Sequence, residues 1–573
     1  MDSKKGKWAF RNKVMAFALL GVLMATATLT TVQGAPFNYF TYESVQPGYT
    51  KNVIMMVPDG CGTTHITAAR WYKGMDLALD QMPSGMVSTY GAESIIIDSA
   101  PAATAFATGY KTSDKYVGIL PGPITIPGVS EVPSDQQYMP VVSVLEAAKL
   151  RGMSVGLIAT SNVQHATPAG FSSHWHDRGN YTEIAEQQVY EDIDVVFGGG
   201  KQYLLPLEEG GKRKDGENMV NVLKSRGYSF VETRDQMLGL SESTGKVWGM
   251  FAMDAMARDF DRSLSAHSQE PSLAEMTEKA IEVLSKNPRG FFLMVEGSQV
   301  DWASHANDPI GVISDVLAFD DAVKVANDFA DRSRNTLVMA FTDHGNGGMA
   351  IGSSKTDSTY SKLPVGQLVD PLRKATLTGT GLGEVLAKNA DAATIRQTVE
   401  TYYGIPSSSL SDADIVAIRA ARNSTTDLAS VVGPIISKLS VIAWTTTGHT
   451  GEDVTLYTYG KNRPVGLFDN TELARIVERN LRLDLTRTEA QLFVEASSAF
   501  AKIGATVRVQ TGWNGQLVVE KDGQTLATLP FAKDIVVIDG HSYSMSGIVV
   551  HSQKSGKVYV PSEAAKLVQR NAM

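Results

Sequence analysis

Acidic side chains and imidazoles follow three apolar segments of the sequence, each with the composition of a buried strand. Asp59 comes directly after the first segment, Glu296 ends the second, and Asp343 with His344 follows the third. In an open α/β sheet, reactive groups collect beyond the carboxyl ends of the strands, so we expect these side chains to meet. Carboxylate oxygens and imidazole nitrogens are common zinc ligands. The pattern therefore predicts a metal site at one edge of a sheet.

Asp301 and His305 follow the second segment at a spacing of four residues. Residues four apart lie on the same face of a helix, so both side chains could bind one ion. A single Asp–His pair is more often only hydrogen-bonded. The metal prediction therefore depends on the coincidence of three such strand ends in one chain.

Ser99 begins a run of small residues directly after the apolar segment 95–97 and Asp98. A helix that starts here would present an N-terminus, which favours anions. A serine hydroxyl is a poor nucleophile at neutral pH, but coordination to a cation lowers its pKa. Two interpretations are open for Ser99: a catalytic nucleophile, or an ordinary helix N-cap.

Six motifs, in order between about residues 52 and 460, resemble those of the alkaline phosphatases. They are Val-Pro-Asp-Gly around Asp59, Asp-Ser-Ala-Pro-Ala-Ala-Thr-Ala around Ser99, His-Ala-Thr-Pro from His165, Val-Glu-Gly-Ser-Gln-Val-Asp-Trp-Ala-Ser-His from Val295, Thr-Asp-His-Gly at Thr342 and Thr-Thr-Gly-His-Thr-Gly ending at Gly451. Six ordered motifs over roughly 400 residues are far more specific than one short motif.

The resemblance implies a hydrolase of phosphate monoesters with two zinc ions and one magnesium ion. Ser99 is implied as the nucleophile that forms a phosphoserine and whose alkoxide one zinc holds, and Arg178 as the residue that binds two phosphate oxygens. The implied metal ligands are Asp301, His305 and His449 for the zinc that activates water, Asp343, His344 and Asp59 for the zinc beside Ser99, and Asp59, Thr167 and Glu296 for the magnesium.

Two positions fall where members of the family differ. His165 stands near the implied magnesium, where some members have Asp, and Trp302 stands near the implied phosphate, where others have Lys or His. Trp offers one N–H donor and no charge. We therefore expect weaker retention of product phosphate than in a Lys-bearing member, with a plain packing role for Trp302 as the alternative.

The apolar segments alternate with helical ones, which predicts an α/β fold with a large, mainly parallel sheet and helices on both faces. The predicted strands are residues 52–57, 154–160, 193–197, 291–295, 336–341 and 454–459. The predicted catalytic domain spans residues 35–484 and contains a helical insertion at about 350–440, with helices near 392–403, 411–422 and 426–442. Residues 485–573 are predicted to form a small α+β module, with a helix near 488–503 and hairpins at Asn514-Gly515 and Asp522-Gly523.

The first 34 residues have the pattern of a secretory signal peptide. Five cations precede a charge-free apolar run at 14–25, and small residues follow up to Ala35. Cleavage there would remove five cations and Asp2 and change the net charge from −9 to −13. We expect an exported protein, periplasmic or extracellular, without a stable membrane span after processing; an uncleaved N-terminal anchor is the alternative.

The composition and the motifs limit the other function classes. The chain has 61 acidic and 52 basic residues. This acidic excess disfavours a nucleic-acid-binding surface, because phosphate backbones are bound by surplus cations. A phosphodiesterase or sulfatase-like hydrolase is the main alternative, and Arg178 with the Thr167–Glu296 pair argues against it. A non-catalytic surface-binding protein is a remote alternative.

The single cysteine, Cys61, excludes an intramolecular disulfide and is expected to be buried. A homodimer is implied by the resemblance alone.

Overall fold

One ten-stranded sheet organises the larger part of the chain in the computed structural model, which describes residues 49–424, 426–512 and 514–572. Its strands up to the insertion are β1 (Asn52–Pro58), β2 (Pro83–Ser88), β3 (Ser154–Asn162), β4 (Val195–Gly199), β5 (Ser229–Val231), β6 (Val247–Met250), β7 (Phe291–Gly297) and β8 (Thr336–Ala340). Four two-residue strands follow: β9 (Gly345–Asn346), β10 (Ala350–Ile351), β11 (Ile442–Ala443) and β12 (His449–Thr450). The sheet is completed by β13 (Val454–Gly460) and β14 (Gly466–Asp469).

The strand order across the sheet is β14-β2-β13-β8-β1-β7-β3-β4-β6-β5. Neighbours from β8 to β5 are all parallel, whereas β13 runs antiparallel to both β8 and β2. All six predicted strands are present, and the predicted large, mainly parallel sheet is confirmed. The strands β2, β5, β6 and β14 were not predicted.

The sheet is covered on both faces by separate hydrophobic clusters. Alternate residues of β1 divide between them: Val53 and Met55 lie in one cluster, and Ile54 and Met56 in the other, all fully buried. Side chains alternate across a strand, so a strand covered on both faces has to be apolar throughout. This is why β1, β7 and β8 read as continuous hydrophobic runs in the sequence.

Helices contribute to the hydrophobic clusters on both faces of the sheet. The helices before the insertion are α1 (Thr63–Lys73), α2 (Ser99–Thr108), α3 (Val144–Leu150), α4 (Ala166–Ser172), α5 (Tyr181–Tyr190), α6 (Met219–Ser225), α7 (Arg234–Leu238), α8 (Leu273–Leu284), α9 (Gln299–His305) and α10 (Pro309–Ser333). The longest of these, α10, begins with Asp308 as its N-cap and Pro309 in its first turn, where the fixed φ of proline suits a helix.

The segment between β10 and β11 is helical, as expected for an insertion. Its helices are α11 (Val365–Leu372), α12 (Gly379–Val385), α13 (Ala392–Tyr403), α14 (Asp412–Arg422) and α15 (Ala429–Leu439). The last three were predicted. The first two contain Pro371 and three glycines respectively, which weakens their helix signal.

After α16 (Asn470–Leu481) the chain forms α17 (Leu485–Leu492), β15 (Val494–Glu495) and α18 (Ala496–Ala501). The single helix predicted near 488–503 is therefore wrong: the chain leaves the helix at Phe493, and β15 pairs with β22 (Val558–Val560). The antiparallel strands β16 (Thr506–Gln510), β17 (Gln516–Lys521), β18 (Gln524–Pro530), β19 (Ile535–Ile538) and β20 (His541–Ser544) form one sheet, followed by β21 (Val550–His551) and α19 (Ala564–Ala572). Most of these elements share a hydrophobic cluster of their own.

Among the described residues, no helix combines the length and apolarity needed to cross a membrane. The predicted signal peptide lies outside the described residues.

Candidate metal centre and active site

The carboxyl ends of three central strands lie side by side, because β1 pairs with β7 on one side and with β8 on the other. Asp59 follows β1, Glu296 is paired with Val57 near the end of β7, and Asp343 follows β8. All three carboxylates are at most 2% exposed. The predicted strand-end side chains therefore do meet, in a buried place.

Asp301 lies between two imidazoles in a first group of side chains. Its Oδ2 is 3.3 Å from Nε2 of His305, one turn later on α9. Its Oδ1 is 3.7 Å from Nε2 of His449, which the pairing of β12 with β9 brings to the site. The spacing of four residues thus places Asp301 and His305 together, as predicted.

The Nδ1 atoms of His305 and His449 make hydrogen bonds that fix the orientation of both rings. His305 Nδ1 donates to the carbonyl oxygen of Thr447 at 2.6 Å, and His449 Nδ1 donates to that of Ile97 at 2.8 Å. A carbonyl oxygen can only accept, so each neutral ring turns the lone pair of Nε2 toward Asp301. Two lone pairs facing a carboxylate form the donor set of a bound cation, with hydrogen-bonded outer nitrogens as is usual for metal-ligating histidines.

A second group consists of Asp59, Asp343 and His344, all fully or almost fully buried. His344 Nε2 is 3.1 Å from Asp343 Oδ2 and 3.6 Å from Asp59 Oδ1. The ring of His344 stacks on that of His449, with centroids 3.6 Å apart. The first two groups are therefore adjacent, and Asp301, His344 and His449 also bring ligand atoms within 4.8 Å of one another.

A third group contains Asp59, His165 and Glu296, with Thr167 beside Glu296. Both carboxylate oxygens of Asp59 and of Glu296, together with Thr167 Oγ1, are buried and receive no hydrogen bond from the described residues. Buried polar atoms are nearly always satisfied. A divalent cation that prefers oxygen ligands would satisfy this set.

Ser99 is the first residue of α2 and lies against the second group, with its Oγ 3.2 Å from His344 Nε2. The N-cap of α2 is Asp98, whose side chain accepts from the backbone of Ala100. The interpretation of Ser99 as an ordinary N-cap is therefore wrong. Its hydroxyl is aimed at the candidate metal groups instead.

Arg178 reaches the same place from the loop between α4 and α5. Its Nη1 donates to both carboxylate oxygens of Asp98 at 2.7 Å, and its Nη2 donates to His165 Nε2 at 2.7 Å. The guanidinium is thus held against Asp98, the residue that precedes Ser99. A planar fork in this position suits the oxygens of a phosphoryl group.

Charge crowding shifts the pKa values of the site strongly. Burial, followed by repulsion from Asp343, raises the pKa of Asp59 well above its usual value and that of Glu296 to about 8. Burial alone would lower the pKa of His344, but Asp343 and its neighbours raise it to about 9. Burial, reinforced by Arg178, lowers the pKa of His165 to about 3. Close carboxylates with elevated pKa values are stabilised in their ionised form when cations bind between them.

These shifts predict how chelation changes the pH dependence of stability. A raised folded-state pKa contributes stability that is lost as the pH rises from the ordinary pKa to the raised one. The chelated protein therefore loses stability through Glu296 from about pH 4.5 to 8 and through His344 from about pH 6.5 to 9, and the window common to both is about pH 6.5 to 8. The lowered pKa of His165 acts only below about pH 6.5. We expect the free energy of unfolding of chelated protein to fall by about 2 kcal/mol or more across that window. Thermal unfolding with chelator and with zinc plus magnesium measures this; the same pH dependence in both forms would contradict it.

Trp302 lies on α9 between Asp301 and His305 and is half-buried. Its ring meets that of His165 edge-on, with centroids 5.8 Å apart. The two positions singled out as variable within the family thus lie in contact at the edge of the site.

Sequence reasoning missed two residues that support the site. Asp98 anchors Arg178, and Asn346 donates its side-chain amide to Asp301 Oδ1 at 2.6 Å. The position of Asp98 directly before Ser99 was an available signal. Asn346, in contrast, is marked only by lying two residues after His344.

One further buried group lies outside the centre. His174 Nε2 is 3.0 Å from Glu146 Oε1, with Glu191 nearby. His174 is thus a paired core histidine.

Comparison with known proteins decides the family. A family model described as alkaline phosphatase matches residues 50–483. The chain belongs to the alkaline phosphatase family. Alkaline phosphatase 3 of Bacillus subtilis (strain 168) is 37% identical over 454 residues, which cover 76% of this chain and 90% of that relative. All six motifs lie within the matched residues, so the resemblance drawn from them is confirmed.

Solved structures agree with this membership. The alkaline phosphatase of Thermus thermophilus is 27% identical, with a TM-score of 0.67, over 80% of this chain and 95% of its own. A His-to-Asp variant of the alkaline phosphatase from the Antarctic bacterium TAB5, with Mg bound in the site called M3, is 25% identical, with a TM-score of 0.54, over 77% of this chain and all of its own. The chain is thus an alkaline phosphatase, a metal-dependent hydrolase of phosphate monoesters.

Proposed function

We propose that this alkaline phosphatase works through a phosphoserine on Ser99, at a site for two zinc ions and one magnesium ion. The observation that carries the proposal is the position of Ser99 Oγ, 3.2 Å from Nε2 of His344 in the second candidate metal group, with Arg178 bound to the preceding residue, Asp98. A nucleophile, a guanidinium that can bind phosphate and a set of cation ligands are thus within one site.

The donor sets suit these ions. The first two groups, which combine imidazoles with carboxylates, suit zinc. The third group has one imidazole, His165, and more oxygen atoms, from Asp59, Glu296 and Thr167, so it suits magnesium. The proposed ligands are Asp301, His305 and His449 for one zinc, Asp343, His344 and Asp59 for the other, and Asp59, Thr167 and Glu296 for magnesium. When bound, such cations lower the pKa of hydroxyl groups and neutralise charge on phosphoryl oxygens.

The side chains of this chain divide the reaction into two displacements. Ser99 Oγ loses its proton and attacks phosphorus in line, so that a Ser–O–P bond forms and the bond to the leaving alcohol oxygen breaks. The alcohol takes up a proton as it leaves. Water then cleaves the Ser–O–P bond and releases inorganic phosphate, while Arg178 orients two non-bridging oxygens through both steps.

One assay series tests the proposal against its alternatives. Turnover of a chromogenic phosphate monoester, a diester and a sulfate ester is compared at alkaline pH, then after chelation and after zinc and magnesium are returned. We expect the monoester to dominate, chelation to abolish its turnover and the two ions together to restore it. A preference for the diester or the sulfate ester would favour the alternative hydrolases, and no monoester turnover with both ions present would reject the proposal.

Replacing His165 with Asp is expected to strengthen magnesium binding. His165 shares the third group with Asp59 and Glu296, and a carboxylate adds the harder ligand that magnesium prefers. The TAB5 variant with Mg in its M3 site carries the same type of change. We expect about a tenfold lower magnesium concentration for half-maximal activity of His165→Asp. Magnesium titration of protein with constant zinc measures this, and an unchanged midpoint would contradict it.

Replacing Trp302 with Lys is expected to tighten product binding. The half-buried ring lies beside His165 at the edge of the site, and an ammonium there would attract the phosphate dianion. We expect the inhibition constant for phosphate to fall by about three- to tenfold. Trp302→Phe, which also lacks a charge, serves as the control. An unchanged constant for Trp302→Lys would leave Trp302 as a packing residue.

Export and assembly are part of the same proposal. We infer that residues 1–34 direct the enzyme out of the cytoplasm, to the periplasm or the medium, and that it acts as a homodimer. The chain as a whole carries a net charge of −9, so its average surface repels phosphate esters. Capture then depends on Arg178 and the cations of the site, which concentrate positive potential in one place.

A further inference from the structure

A second cluster of positive charge lies at the end of the sheet opposite the catalytic side chains. A cavity of about 220 Å³, the basal pocket, is lined by Lys51, Arg151, Arg289 and Arg482 together with Tyr49 and other residues. Lys51 immediately precedes β1, Arg151 lies shortly before β3, and Arg289 lies shortly before β7. The seven residues of β1 separate the pocket from Asp59 by about 20 Å. The basal pocket is thus distinct from the catalytic site.

The cations of the basal pocket have no acidic partner there. Within the described residues, no carboxylate lines the cavity. Lys51 is half-buried, and Arg151, Arg289 and Arg482 are exposed, so an anion could reach all four from solvent. Like charges gathered in one cavity repel one another. A bound anion would remove that repulsion.

Two of the four cations, Arg151 and Arg482, make contacts that orient them and leave donors free. Arg151 donates to the backbone carbonyl of Arg482, and the guanidinium of Arg482 lies over the ring of Tyr49. The side chain of Arg289 lies so close to Gly152 that a Cβ at that position, where φ is +79°, would collide with it. Each guanidinium has five N–H donors, and these contacts occupy few of them.

Guanidinium forks at the wall of a small cavity match the geometry of phosphoryl oxygens. A cavity of this size holds a tetrahedral oxyanion with a few waters, but it is small for a nucleotide. We propose that the basal pocket binds a phosphoryl oxyanion, either free inorganic phosphate or the phosphate of an anionic phospholipid headgroup. The pocket would then bind the enzyme's product or attach the enzyme to a membrane surface, and the test distinguishes the two.

Binding of free phosphate is measured by equilibrium dialysis with radiolabelled inorganic phosphate on the metal-loaded full chain. The catalytic site is unchanged in Arg289→Glu, so a difference in bound phosphate between this variant and wild type reports on the basal pocket. We expect Arg289→Glu to weaken the additional binding by about tenfold or more. Arg419→Glu, the same change at an exposed position on α14, is the control that should bind as wild type does. Lys51→Glu repeats the test at a different wall of the pocket in case Arg289→Glu does not fold.

Binding to a lipid headgroup is measured by co-sedimentation with vesicles of phosphatidylcholine, with and without phosphatidylglycerol. If the ligand is a headgroup, wild type and Arg419→Glu sediment with the phosphatidylglycerol vesicles only, Arg289→Glu does not, and about 0.5 M salt weakens the effect. If wild type binds additional phosphate in dialysis but does not sediment with the vesicles, free phosphate is the ligand. Equal phosphate binding by wild type and both pocket variants, together with no charge-dependent sedimentation, overturns the proposal.

Discussion

Ser99→Ala is expected to lower kcat for a phosphate monoester by about 10³-fold or more, with the zinc and magnesium content unchanged. The hydroxyl is buried, and within the described residues its hydrogen-bond contact is to His344. Its removal therefore leaves the carboxylate and imidazole ligands in place. What is lost is the atom that forms the Ser–O–P bond. Steady-state kinetics and metal analysis of the same preparation measure the two quantities.

A matched variant separates this loss from the effect of deleting any buried hydroxyl. Ser440 is as buried as Ser99, and it donates only to backbone carbonyls at the end of α15. Ser440→Ala should keep wild-type kcat. A burst of alcohol release equal to the enzyme concentration in Ser99→Ala would contradict the assignment, because that burst requires a covalent intermediate.

The positions of the strand-end ligands could be predicted because the sheet is covered on both faces. Burial on both sides makes β1, β7 and β8 continuously apolar, and such segments are visible in the sequence. Two of the unpredicted strands, β2 and β5, lack that signal. β2 begins with Pro83, contains Gly85 and has one buried residue among six, and β5 has three residues. Both lie away from the centre of the sheet, where pairing partners rather than composition decide the conformation.

The remaining site residues needed the resemblance or the structure. His449 is far from Asp301 in the chain, and it reaches the site through a pairing of two-residue strands that no periodicity reveals. Arg178 has no local pattern, and its partner Asp98 is identified only by the ion pair between them. His344 was assigned to one metal group, yet it also stacks on His449 of the other. Such shared positions depend on side-chain placement, which spacing along the chain does not specify.

Asp59→Asn is expected to change stability in opposite directions in the chelated and the metal-loaded enzyme. Asp59 belongs to the second and the third candidate metal groups, and both its oxygens are buried without a donor from the described residues. Burial and repulsion by Asp343, Asp301 and Glu296 raise its pKa well above the usual value. Its charge therefore destabilises the fold when cations are absent. The neutral amide of the same shape removes that repulsion and can donate to the neighbouring carboxylates.

We accordingly expect chelated Asp59→Asn to unfold at a higher temperature than chelated wild type. With zinc and magnesium present the order should reverse, because the amide is a poorer ligand for both groups, and kcat should fall by about 10²-fold or more. Asp320 is the matched control: it is equally buried, but it pairs with Lys73 at 2.9 Å and accepts from the backbone of Leu79. Asp320→Asn should lower the unfolding temperature in both states, since it breaks a satisfied ion pair. If chelated Asp59→Asn instead unfolds at a lower temperature than chelated wild type, Asp59 is stabilised by a proton or a hydrogen bond rather than held for cations.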